Sequence, residues 1–299
     1  MFPLVHHSDY LVGEGSGAHF RWDKYGATVA LLRADASPPD EHAPECMPEP
    51  WISAIHDPDY VAAVLAAALP RDKERRIGFP VTPALARRAA RTCGGTWRAA
   101  MLALDYGYAA NSAGGSHHAL HADGAGYCIL NDLAVATHRL LAEGKARHVL
   151  IVDLDVHQGD GTASLLAGRS DATTFSMHAA RNFPARKARS SLDVDLPDGI
   201  ADDAYLDLLA HNLPHIVDEC RPDFIFYQAG VDAHADDSLG RLSLTDDGLL
   251  LRDAMVADAA RTRGIPLASV MGGGYGPDAA AIAARHAQTM RTLAHGYYG

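Results

Sequence analysis

Four stretches hold side chains that a soluble protein does not bury without a reason. "DLDVHQGDG" (Asp153 to Gly161) places Asp153, Asp155 and His157 at alternate positions, with Asp160 close behind. It directly follows "HVLIV", an apolar run suited to a buried strand. An unpaired charge at the end of such a strand costs several kcal/mol. If the chain stays extended, period 2 puts Asp153, Asp155 and His157 on one face. "AGVD" adds Asp232 at the end of a second apolar run. Asp155, His157 and Asp232 then make a set of two carboxylates and one imidazole. That set suits a zinc-like divalent ion with a coordination position left open, and a bound ion would offset the burial cost.

"GGSHHA" supplies His117 and His118. A metal-assisted hydrolase needs a base for the attacking water and an acid for the leaving group. Imidazoles do both near neutral pH when carboxylates orient them, and Asp153 and Asp160 are available for that. "MGGGY" delivers Tyr275 after three glycines. Glycines permit close backbone approach, and a phenol can donate to a developing oxyanion. Taken singly, each piece has an ordinary reading: an Asp at a strand end caps a loop, a His-His pair is structural, "GGGY" is a turn. Four independent segments with complementary parts make a metal-hydrolase site the better account.

These parts need elements that bring them to one edge. "RHVLIVDLDVH" (147–157), "PDFIFYQAGVD" (222–232) and "IPLASVMGGGY" (265–275) read as buried parallel strands, each after a helix-like segment. That alternation predicts an α/β domain with a parallel sheet, whose ligands sit at the carboxyl ends of the strands. "DATTFSMH" (171–178) and "GGSHHALH" are expected to lead into loops on the same edge. Asp57 with Pro58, and Thr82 with Pro83, carry the signature of a helix start. Gly94-Gly95 marks close packing or a local break, and "ASPPDEHAPECMPEP" (36–50) reads as a loop rimming the site.

The chain has 299 residues, 48% hydrophobic and 21% charged, enough for one large α/β domain or two small ones. A net charge of −11 argues against nucleic acid and is mildly compatible with a cationic substrate or partner. The four cysteines are scattered without a CxxC pair, as for reduced thiols in a cytoplasm. No signal peptide is evident at the start, and no apolar run reaches the ~18 residues of a membrane span.

With "GYCILND", "IVDLDVHQGDG" and "FSMH" in the same order, the chain resembles the zinc-dependent histone deacetylase family, of the arginase/deacetylase fold. The likeness covers nearly the whole chain and is strongest from Asn111 to Tyr275. It is most similar to compact bacterial members related to class IV. The resemblance implies a single three-layer domain over 1–299, with a central, mainly parallel sheet flanked by helices. It implies zinc, or ferrous iron, on Asp155, His157 and Asp232. His118 would be general base and acid, His117 electrostatic support, Asp153 and Asp160 their partners, and Tyr275 the group that polarises the amide. Gly126, Tyr127, Phe183, Gly273 and Gly274 would line the acyl channel. A structural potassium ion would sit near Asp153, Asp155, His157, Ser176 and Met177.

The implied activity is removal of acyl groups from ε-acyl-lysine of a peptide or protein, or from an acylated small amine. Two features depart from the family pattern: Tyr127 stands where many members have Phe, and Asp160 where many class IV-like members have Asn. Asp40, Glu41 and Glu45 are candidates for a substrate-gripping acidic residue. No long insertion of the acetylpolyamine amidohydrolase kind is evident, which favours a monomer. "VDAHAD" (231–236) also resembles an arginase-like metal motif, without the second acidic motif that two metal ions need. An inactive, ligand-binding domain is the non-enzymatic alternative.

Overall fold

In a computed structural model, described for residues 1–12 and 21–299, eight strands form one sheet. They are β1 (Pro3–Val5), β2 (Asp40–His42), β3 (Tyr108–Asn111), β4 (Val149–Asp153), β5 (Ala172–Ala179), β6 (Leu192–Leu196), β7 (Phe224–Gln228) and β8 (Leu267–Val270). Their order is β2-β1-β3-β8-β7-β4-β5-β6, and every pairing is parallel. The helices are α1 (Asp23–Arg33), α2 (Glu49–Ser53), α3 (Pro58–Leu65), α4 (Arg71–Ile77), α5 (Pro83–Tyr106), α6 (Asp132–Ala142), α7 (Asp160–Leu165), α8 (Asp202–Cys220), α9 (Asp246–Arg261) and α10 (Ala279–Tyr298).

The central strands are apolar on both faces because helices cover both. β4 and β7 are buried at every position, as a doubly covered parallel sheet requires. α5 and α6 pack together on one side, and α1, α10, α9 and α8 follow one another across the other. The edge strand β6 is instead only partly buried. This is the parallel α/β sheet expected from the alternation of helical and apolar segments, flanked by helices as the family resemblance implies.

Local chemistry sets the helix starts. The Asp57 carboxylate accepts from the amides of Asp59 and Tyr60 ahead of Pro58, and Thr82 caps Leu85 ahead of Pro83. α5 runs unbroken through Gly94 and Gly95. A β-carbon would collide at Gly94 with the Glu45 carbonyl and at Gly95 with the Tyr10 hydroxyl. Of the two readings of that pair, close packing is the one observed.

"DATTFSMH" leads into a loop as expected, and all but its first residue belong to the eight-residue strand β5, buried throughout. Two sequence expectations need correction. The polar stretch 36–50 contains the edge strand β2 and the start of α2. β4 stops at Asp153, so the alternation of Asp153, Asp155 and His157 is not a strand pleat. These side chains converge for another reason.

Candidate active site

The strand order brings β3, β8, β7 and β4 side by side. Their carboxyl ends lead, respectively, into the His117–His118 loop, the glycine run before Tyr275, Asp232, and the Asp155–His157 loop. Four segments far apart in sequence thus meet at one edge.

Beyond Asp153 the chain turns, and hydrogen bonds from its own amides aim the carboxylates. Asp153 Oδ1 accepts from the Asp155 amide at 3.2 Å, and Asp155 Oδ1 from the His157 amide at 3.0 Å. The Val156 amide donates to Asp232 Oδ1 at 2.9 Å, tying the β4 loop to the β7 loop. His157 Nδ1 faces Asp155 Oδ1 at 3.0 Å and Asp232 Oδ2 at 3.1 Å. Donor atoms of Asp155, His157 and Asp232 lie within 4.8 Å of one another, and all three residues are buried.

Burial, then the charge of Asp155, pushes the Asp232 carboxyl up to about 7. Burial alone would lower His157, but the two carboxylates outweigh it and hold the ring at about 10. Two buried carboxylates against one imidazole form a site short of positive charge. Two oxygen donors and one nitrogen donor fit a divalent ion and leave room in its coordination sphere. Among the described residues no other such cluster of donors occurs. In particular, His234 and Asp236 lie outside it, with Asp236 paired to Arg285 at 3.0 Å.

Next to this set, the rings of His117 and His118 lie 4.1 Å apart. His117 Nδ1 meets Asp153 Oδ2 at 2.7 Å, and His118 Nδ1 meets Asp160 Oδ1 at 2.7 Å. A carboxylate can only accept, so each Nδ1 is the donor and each Nε2 is turned to other work. The two rings differ in proton affinity. Burial works against protonation of His117, yet Asp153 and Asp155 overcome it and raise the group to about 9. Burial, reinforced by the His117 charge, lowers His118 to about 4. In the metal-free chain the two rings are thus pushed in opposite directions. Titratable neighbours pushed apart in this way mark distinct acid–base roles.

Tyr275 is buried, and its ring lies 6.1 Å from that of His157 and 5.7 Å from that of Tyr127. Burial and the nearby Asp155 and Asp232 hold its phenol well above the usual range, so it remains a proton donor. Gly126, Tyr127, Gly273 and Tyr275 line a narrow cleft of about 30 Å³ that reaches His117 and His118. Phe183, 44% exposed, stands edge-on to His118 at 4.8 Å. Gly273 also donates its amide to Asp155 Oδ2 at 2.8 Å. A β-carbon at Gly274 would instead meet Val231, Ile282 and His286, away from the cleft. Asp153 and Ser176 are register partners in the sheet, and Met177 follows, fully buried. Asp40, Glu41 and Glu45 are engaged with His42, Arg33 and Arg91, and none of them lines the cleft.

Sequence reasoning missed the residues that hold these groups in place. Asn131 caps α6 and donates to the His117 and Ala119 carbonyls. Asp132 accepts from the Gly115 and Ser116 amides, fixing the approach to His117. Gln228 donates to Asp155 Oδ2 at 2.8 Å and accepts from the Gly230 amide. Arg252, wholly buried, reaches the carbonyls of Leu154 and Gly230. The "ND" of "GYCILND" was a visible signal. Gln228 and Arg252 looked like an ordinary strand residue and an ordinary helix residue.

Comparison with known proteins agrees with this fold. The fold is that of the deacetylase and amidohydrolase class. The crystal structure of an acetylpolyamine aminohydrolase from Burkholderia pseudomallei matches with a TM-score of 0.80 at 20% identity, over 98% of this chain and 99% of that one. The chain itself belongs to the histone deacetylase family, whose histone deacetylase domain matches residues 19–291. An uncharacterized protein of Picosynechococcus is 42% identical over 95% of this chain and 96% of its own length. Histone deacetylase 2 of Arabidopsis thaliana is 34% identical over 64% of this chain, and the match spans 50% of that protein.

Proposed function

We propose that the chain hydrolyses the amide of ε-acyl-lysine in a peptide or protein, using one divalent ion, zinc or ferrous iron, on Asp155, His157 and Asp232. The observation that carries this reading is the pair of buried hydrogen bonds, His117 to Asp153 and His118 to Asp160 at 2.7 Å each, beside that donor set. A bound divalent ion would polarise the amide carbonyl and acidify a water. His118, neutral and held through Nδ1 by Asp160, takes the proton of the attacking water at Nε2. It then passes that proton to the departing amine. His117, kept protonated by Asp153, favours the negative charge that develops, and Tyr275 donates to the oxyanion. Gly126, Tyr127 and Phe183 form the walls that exclude water from the acyl group.

Acylated small amines are the alternative substrates, because the cleft chemistry is the same for any primary-amine amide. The potassium site near Asp153, Asp155, His157, Ser176 and Met177 is part of the same proposal. So are the monomeric state, a cytoplasmic location and the absence of a nucleic-acid partner. No described helix is long and apolar enough to cross a membrane, and all four cysteines are free. The test is turnover of ε-acyl-lysine peptides from acetyl to myristoyl, with acetylated polyamines alongside and Tyr275→Phe as control, together with metal stoichiometry. Tyrosine-dependent turnover with one ion per chain supports the reading. Two ions per chain would favour a ureohydrolase, and silence on every substrate by folded, metal-loaded protein would favour a binding role.

A further inference from the structure

The net charge of this chain is −11, yet among the described residues the segments adjoining the cleft are rich in exposed arginine. There are two such segments. One is the loop between β5 and β6. From Arg181 to Arg189 it carries Arg181, Arg186, Lys187 and Arg189 and no carboxylate. This loop is built, not loose. The Lys187 ammonium folds back onto the carbonyls of Asn182 and Pro184, and Asn182 bonds to Leu239 and Arg241. Gln158, next to His157, bonds Ala188 through both its amide groups at 3.0 and 2.8 Å. The same loop presents Phe183 to His118.

The other segment is α4. Its last carbonyls, of Arg76 and Ile77, accept the amides of Gly126 and Tyr127 and fix that turn. Phe79, just beyond, stacks on Tyr127. Beside it opens a cavity of about 630 Å³ lined by Arg71, Glu74, Arg75, Gly78, Phe79 and Pro80. The nearby carboxylates are mostly committed. Asp123 is held by Lys73 and Arg76, Asp198 by Arg181 and Arg241, and Asp193 by Gln158 and the Ser190 amide. Asp195 pairs with His178; on α4, Glu74, which accepts from the Val81 amide, and Asp72 offset two of the four positive charges and leave an excess of two. Arg71, Arg75, Arg186 and Arg189 are exposed and have no carboxylate partner among the described residues.

We infer that the acyl-lysine taken by this site lies in an acidic peptide, whose Asp or Glu side chains on either side of the lysine meet these two arginine pairs. The inference rests on the hydrolase reading above and narrows its substrate. Like-signed charge flanking a narrow cleft focuses the field and raises the local concentration of the opposite charge. An acylated polyamine carries further ammonium groups and is repelled by the same field. The overall negative charge, taken alone, points to a cationic partner; its distribution reverses that conclusion at the site.

The test uses three peptides with the same acyl-lysine, flanked by Glu, by Gln or by Lys, and an acetylated polyamine. Anisotropy of labelled peptide measures binding, and steady-state kinetics measure KM and kcat separately. The Glu peptide is expected to bind about tenfold or more tightly than the Lys peptide. The difference should appear in KM and collapse as salt shortens the Debye length from about 10 to about 3 Å. The double variants Arg186→Glu/Arg189→Glu and Arg71→Glu/Arg75→Glu should each reduce the preference. Lys145→Glu, an exposed charge change at the opposite edge of the sheet, should not. Equal binding of the Glu and Lys peptides, a preference that survives charge reversal, or a preferred polyamine overturns the inference. Hydrolysis of all three peptides without charge preference would sink it while leaving the hydrolase reading intact. Arginine-dependent binding of the acidic peptide without hydrolysis of any acyl group would do the reverse.

Discussion

The buried guanidinium of Arg252 donates to the carbonyl oxygen of Gly230 at 2.7 Å, two positions before Asp232. The same group reaches the carbonyl of Leu154 at 3.3 Å, one position before Asp155. One side chain on α9 thus ties together the two loops that carry the carboxylates of the metal set. Its charge is balanced by Asp253, which in turn accepts from Tyr227 and Thr289. Arg252→Met is expected to lower stability by about 3–5 kcal/mol, because Asp253 is left buried and unpaired. Arg252→Lys keeps the charge but cannot span both carbonyls, and should weaken metal binding about 10–100-fold while the fold persists. Denaturation midpoints and a metal titration measure the two effects. Wild-type metal affinity in the lysine variant would show that the bridge does not position the ligands.

Asp155 and Asp232 repel each other in a buried site, and the metal relieves that repulsion. Removing the metal with a chelator should lower the melting temperature. Asp232→Asn should match or exceed the wild-type metal-free protein in stability, since it deletes one of two like charges, and should lose the rise in melting temperature on adding zinc. Asp155→Ala should lose metal and activity together. Stoichiometric zinc retained in that variant would overturn the ligand assignment.

Tyr275→Phe removes one hydroxyl from a packed ring. Folding and metal content should be unchanged, while kcat falls about 10²–10³-fold, the usual cost of losing an oxyanion donor. Full kcat in this variant would exclude the phenol from the reaction.

His56 predicts a loss of stability in acid. Burial lowers it to about 4, against a normal 6.5, although hydrogen bonds to the Leu120 and His121 carbonyls oppose the shift. Its Nε2 accepts the Asn131 amide, which requires a neutral ring. Above pH 6.5 neither the folded nor the unfolded chain protonates it, so it adds no pH dependence there. Between 6.5 and 4 the unfolded chain binds the proton and the folded one does not, so stability falls as pH falls, by about 3 kcal/mol in all. Urea midpoints from pH 7 to 4.5 measure the slope. His56→Gln should reduce proton uptake on unfolding at pH 5 by about one, and an unaltered slope would show that His56 is not the group responsible.

How far the site could be read beforehand differs from residue to residue. Asp155, His157 and Asp232 were legible because carboxylates and imidazole directly after apolar runs have few other uses. Their convergence is not that of a strand pleat, since β4 ends at Asp153 and the loop beyond it is shaped by amide bonds to Asp153, Asp155 and Asp232. β5 shows no clear apolar period because its Thr, Ser and His residues mask a strand that is buried throughout only in the folded chain. β3 is four residues long and too short to show a period, although it carries the His117–His118 loop. Gln228 and Arg252 looked ordinary because their partners, Asp155 and Gly230, are distant or backbone groups.

The sequence by itself determined the donor chemistry, the direction of the three main strands and the helix starts at Asp57 and Thr82. Each depends on residue type and short-range spacing, which the chain carries locally. Only the tertiary structure decided that β3, β8, β7 and β4 stand side by side, and that Arg252 bridges two loops. It alone also pushes His117 and His118, adjacent in sequence and alike in type, in opposite directions. Strand order is set by long-range packing, and a protonation state by burial and by the charges that packing brings close. Neither quantity is a property of a short stretch of chain.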